Sequence, residues 1–228
     1  MKAELITNVS HDIKTPLTSI INYVDILKQE NIQNSKAEEY IEILDNKSQR
    51  LKKLTEDLVE ASKISTGNIS LKLEKINVVE LIKQATGEFE DKFKKHKLEV
   101  IVNSADDEIN IMADSRYMYR IIENLYSNIS KYALENSRVY IDVKRNGKKA
   151  FSDVQNLSIE IKNISKDRLN ISAEELMQRF VRGDKSRTTE GSGLGISIAQ
   201  NLTELQNGKF ELTLDGDLFK VKMEFVEV

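Results

Sequence analysis

The sequence predicts an α+β fold in two parts, a helical hairpin followed by a mixed or mostly antiparallel sheet covered by helices. Three observations predict it. Before Gly67 there is no glycine and a single proline, Pro16. Within that stretch apolar residues recur every seven positions, the mark of a helix with a narrow buried seam. From Gly67 onward short alternating runs take over, with helical runs between them.

In the first helix Ile6, Ile13, Ile20 and Leu27 keep the seven-residue spacing, joined by Leu17 and Val24. Asn31 to Ser35 is the turn, and Ser35 with Glu38 reads as a capping box opening the second helix. There Leu44, Leu51 and Leu58 repeat the spacing, with Tyr40, Ile41 and Leu54 filling in. One hairpin with such stripes cannot bury both, so pairing with a second copy into a dimeric four-helix bundle is expected. Residues 1–66 form this first domain and 67–228 the second. The second has strand-like runs at Ile69–Leu73, Leu98–Val102, Ile109–Met112, Val139–Val143, Leu157–Ile161, Lys209–Leu214 and Phe219–Phe225. Helices are expected at Val79–Lys94, Ser115–Leu134 and Leu194–Leu205. The polar connection Ile164–Gly193 is long enough to be a lid or binding loop.

Charged residues make up 31% of the chain, apolar ones 39%, and the net charge is −3. That balance speaks against nucleic acid as a partner, which calls for a strong basic excess. The absence of cysteine removes disulfides and thiolate metal sites, and two histidines, His11 and His96, cannot build a multi-histidine metal site. No run approaches the roughly 18 apolar residues of a membrane span, and the N-terminus is not a signal peptide, so no membrane contact is expected of this segment. Met1 leads straight into a helical segment, which suggests a portion of a longer protein.

On a helix wheel of about 100° per residue, His11 falls on the solvent side of the first stripe, with Thr15 one turn on and Asp12 beside it. Pro16 removes a helical hydrogen bond at a cost of about 3 kcal/mol, which bends or loosens the helix there. An exposed imidazole next to a carboxylate can act as a nucleophile. Further on, Asn124, Asn128 and Lys131 lie together at the edge of a core stripe formed by Met118, Ile121, Ile122, Leu125, Ile129 and Tyr132. Two poor helix formers one turn apart suggest a pocket wall, where an amide oxygen suits Mg²⁺ and a lysine reaches phosphate. The basic run Arg179–Arg187, with Phe180 and Arg182, leads into Gly191-Ser192-Gly193-Leu194-Gly195 ahead of a helix. Such glycines let backbone N–H groups approach phosphate.

The segment Asn8-Val9-Ser10-His11-Asp12-Ile13-Lys14-Thr15-Pro16-Leu17 resembles the phosphoacceptor segment of the sensor histidine kinases of bacterial two-component systems. The asparagine helix, the phenylalanine-centred lid and the glycine box are similar to that family's motifs in the same order. The resemblance implies a dimerisation and phosphoacceptor hairpin followed by a Bergerat-type ATP-binding α/β sandwich. It implies that His11 takes the γ-phosphoryl of ATP, that Asp12 is the general base, and that Thr15 orients water when the partner is dephosphorylated. It further implies Asn128 as the Mg²⁺ ligand, Asn124 and Lys131 at the phosphates, and Tyr132 near the nucleotide. Phe180 would anchor the lid and Arg182 contact the γ-phosphate, with Gly191, Gly193, Leu194 and Gly195 forming the glycine box. The implied partners are a second copy of the chain and a response regulator receiver domain. The implied setting is the cytoplasmic portion of a membrane-anchored sensor.

One motif departs from the family. Its Asp-x-Gly-x-Gly turn, whose aspartate binds the adenine amino group, is here Asn163-Ile164-Ser165-Lys166-Asp167. Asn163 can still accept from the amine but without the charge-assisted part, and replacing both glycines is expected to cost backbone freedom. Either ATP binds weakly or the chain is a divergent active variant, and the retained motifs favour the second. Two other readings compete: a non-catalytic dimeric docking module, supported by the altered turn alone, and a different ATPase of the same ATP fold, which the His11 hairpin opposes.

Overall fold

The structure is a computed structural model that describes residues 2–30, 32, 34–67, 69–146, 156–177 and 193–228, except for the side chains of 2–12, 14, 15 and 65. The described residues fall into two compact units, one up to Ile69 and one from Ser70 to Val228, with Gly193 and Leu194 grouping with the first.

The first unit is a hairpin of α1 (Lys2–Gln29) and α2 (Ser35–Ser65). Asn34 is the N-cap of α2, accepting from the backbone N–H groups of Lys36 and Ala37. The expected capping box at Ser35 is therefore displaced by one residue, because the asparagine amide reaches those N–H groups first. Leu17 and Val24 of α1, 3% and 4% exposed, form the inner seam with Ile41 of α2. Seven-residue steps from Ile41 reach Ser48, Thr55 and Ser62, all buried. The other stripe stays open: Ile13, Ile20 and Leu27 of α1 and Leu44 and Leu51 of α2 are exposed, with Tyr23, Ile26, Tyr40 and Ile43 beside them. Lys28 and Asp45 join the helices by an ion pair at 2.6 Å.

The second unit is a two-layer sandwich. Its five-stranded sheet has the order β2-β4-β5-β7-β6, from β2 (Glu99–Ser104), β4 (Arg138–Asn146), β5 (Asn156–Ile164), β7 (Leu218–Val226) and β6 (Lys209–Asp215). β2 and β4 are parallel, and every other pair is antiparallel. A ribbon of β1 (Glu74–Asn77) and β3 (Asn110–Ala113) is the second sheet. α5 (Ser115–Tyr132) lies between α3 (Val78–Glu88) and α7 (Gly195–Leu205). The core face of the sheet carries Val139, Ile141 and Val143, Leu157, Ile159 and Ile161, and Phe219, Val221, Met223 and Phe225. Alternate positions on the other face are polar, as one-sided burial requires. They include Asp142, bonded to Asn103 and Lys162 at 2.8 and 2.6 Å.

Three expectations shift. The first strand lies at Glu74–Asn77 instead of Ile69–Leu73, because Asn77 both ends the strand and caps α3. The helix expected over Val79–Lys94 breaks at Phe89 into α3 and α4 (Glu90–Lys95), which lets Phe89 and Phe93 both meet the Tyr126 ring edge-on at 5.6 and 5.5 Å. Within the expected lid segment, α6 (Ala173–Met177) is opened by a reciprocal cap: the Ser172 hydroxyl accepts from Glu175 N–H, and Ser172 N–H donates to the Glu175 carboxylate.

Candidate functional site

α5 carries the site residues, and its first turn is firmly fixed. Asp114, 1% exposed, is the N-cap and accepts from the Arg116 backbone and guanidinium and from Lys72 N–H. The Arg116 hydrogen bond outweighs burial and, helped by Lys72 N–H, holds the Asp114 carboxyl down at about 2. The buried face of α5 holds Met118, Ile121, Ile122, Leu125 and Ile129 of the predicted stripe together with Tyr126, which the stripe did not include, while its last member, Tyr132, is half-buried. Asn124 sits at its margin and is buried; its amide donates to Arg120 O at 2.9 Å. Its Oδ1 faces the start of α7, where a Cβ added to Gly195 would stand 3.4 Å away. Asn124 and the last glycine of the glycine box therefore meet. Asn128, one turn on, is half-buried, as are Lys131 and Tyr132.

The end of α5 is stitched to the turn that follows β5. Leu134 N–H donates to Ile164 O, Lys166 N–H donates to Tyr132 O, and Ala133 pairs with Ser165. Ser165 N–H donates to Asp217 O at 2.7 Å, which ties the same turn to the β6–β7 hairpin. The Lys166 ammonium donates to Lys131 O at 2.6 Å and lies 5.8 Å from the centre of the Tyr132 ring. Lys166 was not singled out by its sequence, because one lysine in a polar loop has no distinguishing pattern there.

Asn163, at the head of this turn, is 4% exposed. Its Nδ2 donates to Ile164 O at 3.1 Å, while its buried Oδ1 has no partner among the described residues. A buried acceptor left unpaired costs about 1–3 kcal/mol, and a ligand N–H would satisfy it. The expected cost of losing the family's glycines is not found. The described non-glycine residues with positive φ are Lys97, Asn136 and Asn207, so Ser165 and Asp167 adopt backbone that any residue accepts. Asp167 N–H instead donates to the Ser165 hydroxyl at 3.3 Å, a bond glycine could not make.

The structure thus brings together Asn124 with Gly195, and Tyr132 with the Asn163–Lys166 turn, about 12 Å apart along α5 at 1.5 Å per residue. Gly193 has φ 72, the left-handed conformation for which glycine is suited. Leu194 is buried. His11, Asp12 and Thr15 lie on α1, but their side chains fall outside the described residues, as do Phe180, Arg182 and Gly191 altogether.

Residues 1–67 match the family model described as the His Kinase A (phospho-acceptor) domain. Residues 113–225 match the model described as Histidine kinase-, DNA gyrase B-, and HSP90-like ATPase. Over 210 residues the chain is 27% identical to the sensor histidine kinase WalK of Bacillus subtilis, covering 91% of this chain and 33% of that protein. Over 225 residues it is 30% identical to the histidine protein kinase SaeS of Staphylococcus aureus, covering 95% of this chain and 61% of that one. It therefore spans between a third and about three fifths of the length of these relatives. Full-length ShkA in complex with AMPPNP shares the fold at a TM-score of 0.79 and 17% identity, over 99% of this chain and 46% of that one. The Acinetobacter baumannii histidine kinase AdeS does so at 0.61 and 14% identity, over 95% and 97%.

Proposed function

The chain belongs to the sensor histidine kinase family, and we propose that it binds ATP, phosphorylates its own His11, passes the phosphoryl group to an aspartate of a response regulator receiver domain, and can dephosphorylate that partner. The observation that carries this reading is the buried Oδ1 of Asn163, which has no hydrogen-bond partner among the described residues and is an acceptor suited to the adenine amino group. A docking module would have no use for an unsatisfied acceptor there. ATP would supply the γ-phosphoryl: its bond to ADP breaks as an N–P bond to His11 forms, and Asp12 takes the imidazole proton.

Within this reading Asn124 and the Gly193–Gly195 backbone hold phosphate oxygens, with Lys131 supplying positive charge and Tyr132 lying beside the nucleotide. Asn128 offers one amide oxygen to Mg²⁺, an ion whose remaining positions phosphate and water commonly fill. Phe180 and Arg182 would close the site as a lid, Arg182 at the γ-phosphate, and Thr15 would orient the water of dephosphorylation. Residues 1–66 would be the dimerisation and phosphoacceptor domain and 67–228 the ATP-binding domain, with the lid at 164–193. The exposed stripe of Ile13, Ile20, Leu27, Leu44 and Leu51 supports pairing with a second copy. No helix among the described residues is long and apolar enough to cross a membrane. A cytoplasmic position beneath a membrane-anchored sensor is part of the proposal.

Equilibrium titration with ATP in Mg²⁺ tests the reading. Saturable binding is expected, weakened at least tenfold by Asn128→Ala with Mg²⁺ present and much less so without it. No binding at millimolar ATP would overturn the reading.

A further inference from the structure

We propose that Gln206 is a positioning residue for the nucleotide site: it fixes how far α7 lies along α5, and so sets the spacing between the Gly195 turn and Asn124. The proposal rests on the nucleotide-binding reading above.

Gln206 follows the last residue of α7 and is 2% exposed. Both halves of its amide are committed. Its Oε1 accepts from Asp114 N–H at 2.8 Å, and its Nε2 donates to Leu202 O at 3.0 Å. The first bond reaches the N-cap of α5, and the second closes the C-terminal turn of α7. The two helices are antiparallel, since the end of α7 meets the start of α5 while Gly195, at the start of α7, meets Asn124. From Asp114 to Asn124 is ten residues of α5, and from Gly195 to Gln206 eleven of α7. At 1.5 Å per residue these spans are about 15 and 16.5 Å. The two spans are matched in length, and the Gln206 bond and the Gly195–Asn124 approach lie at their opposite ends.

Both ends of the Gln206 bond are anchored by further hydrogen bonds. Asp114 is held by Arg116 and by Lys72 N–H. Beyond Gln206 the chain turns at Asn207, with φ 61, and Gly208 N–H returns to Thr203 O at 2.9 Å. A displacement at Gln206 is therefore not absorbed locally and passes along α7 to Gly195. Hydrophobic burial at Ile198, Ala199 and Leu202 holds the helix to the domain, but it is non-directional and tolerates a small slide. The amide does not.

The test separates position from folding. Gln206→Met keeps the length of the side chain and removes both hydrogen bonds. Titration of the full chain with ATP and Mg²⁺ is compared with adenosine binding read by ligand-observed NMR. ATP affinity is expected to fall at least threefold while adenosine binding stays within twofold, because only the phosphate end of the site depends on the α7 register. A purely structural role lowers both in proportion to the folded fraction. Proportional loss, or no loss in a folded variant, overturns the proposal. If Gln206→Met does not fold, Gln206→Asn, which keeps the amide on a stem one methylene shorter, is read by the same criterion. A parent chain that binds no ATP would overturn the underlying reading and the proposal with it, and that failure is visible before any variant is made.

Discussion

At the residue scale, Asn163 and Asp114 show what a single polar group decides. Asn163→Asp replaces the Nδ2–H that donates to Ile164 O with a second carboxylate oxygen facing that carbonyl. The free protein should melt lower, because a charge is buried beside an acceptor. ATP and ADP should nevertheless both bind more tightly, by on the order of 1 kcal/mol or about fivefold, as a charge-assisted bond replaces a neutral one. Calorimetry with both nucleotides checks this, and unchanged or weaker binding places Asn163 outside the adenine contact. For Asp114 the folded carboxyl sits at about 2, below its ordinary 3.8. Its contribution is therefore complete above about pH 4 and is lost as pH falls toward 2. It amounts to about 1 kcal/mol once the mostly exposed Arg116 is discounted for solvent screening. Asp114→Asn keeps a capping oxygen and removes the titration, so the acid limb of the stability–pH curve should flatten between pH 4 and 2.

At the element scale, helices were legible where their polar caps and apolar stripe agreed. α5 is the clearest case: its first residue, Ser115, and five of the six expected stripe residues follow directly from the sequence, with buried Tyr126 missed and Tyr132 half-buried. The first strand was misplaced because Leu71 and Leu73 alternate like a strand, yet Leu73 ends up exposed and the pairing falls on Glu74–Asn77. Alternation alone cannot tell a paired strand from an extended approach to one. The Phe89 break was hidden for a different reason. Nothing in a continuous helical pattern announces that two phenylalanines must reach the same tyrosine. The Ser172–Glu175 cap was readable by spacing and marks a helix inside the expected loop. Gly208 was not readable, since its need is tertiary: a Cβ there would stand 2.6 Å from the Phe225 ring and 2.8 Å from the Thr203 methyl. Gly208→Ala should cost about 1–3 kcal/mol by overpacking. Thermal unfolding should show it as a fall of roughly 2–4 °C per kcal/mol.

At the scale of the whole molecule, the seven-residue repeats divide into an inner seam and an open stripe. The sequence contains both sets of residues without distinguishing them, because two seams of one helix share the same period. Leu17 and Val24 close the hairpin, while Ile20 and Leu44 remain exposed on the other stripe. Each such side chain gains about 1.5–3 kcal/mol on full burial. The double variant Ile20→Asp with Leu44→Asp should therefore sediment as a monomer, and the parent chain as the proposed dimer. The candidate site was legible as motifs on single elements, but the stitching of Lys166 and Ser165 to the end of α5 and the Gln206 tie were not, since each depends on partners distant in sequence. The central claim, that the chain transfers phosphate from ATP to its own His11, is tested most directly by incubation with γ-labelled ATP and Mg²⁺. Acid-labile label on the parent chain, absent from His11→Ala although that variant still binds ATP, is the predicted result; label persisting on His11→Ala, or none on a parent that binds ATP, would contradict it.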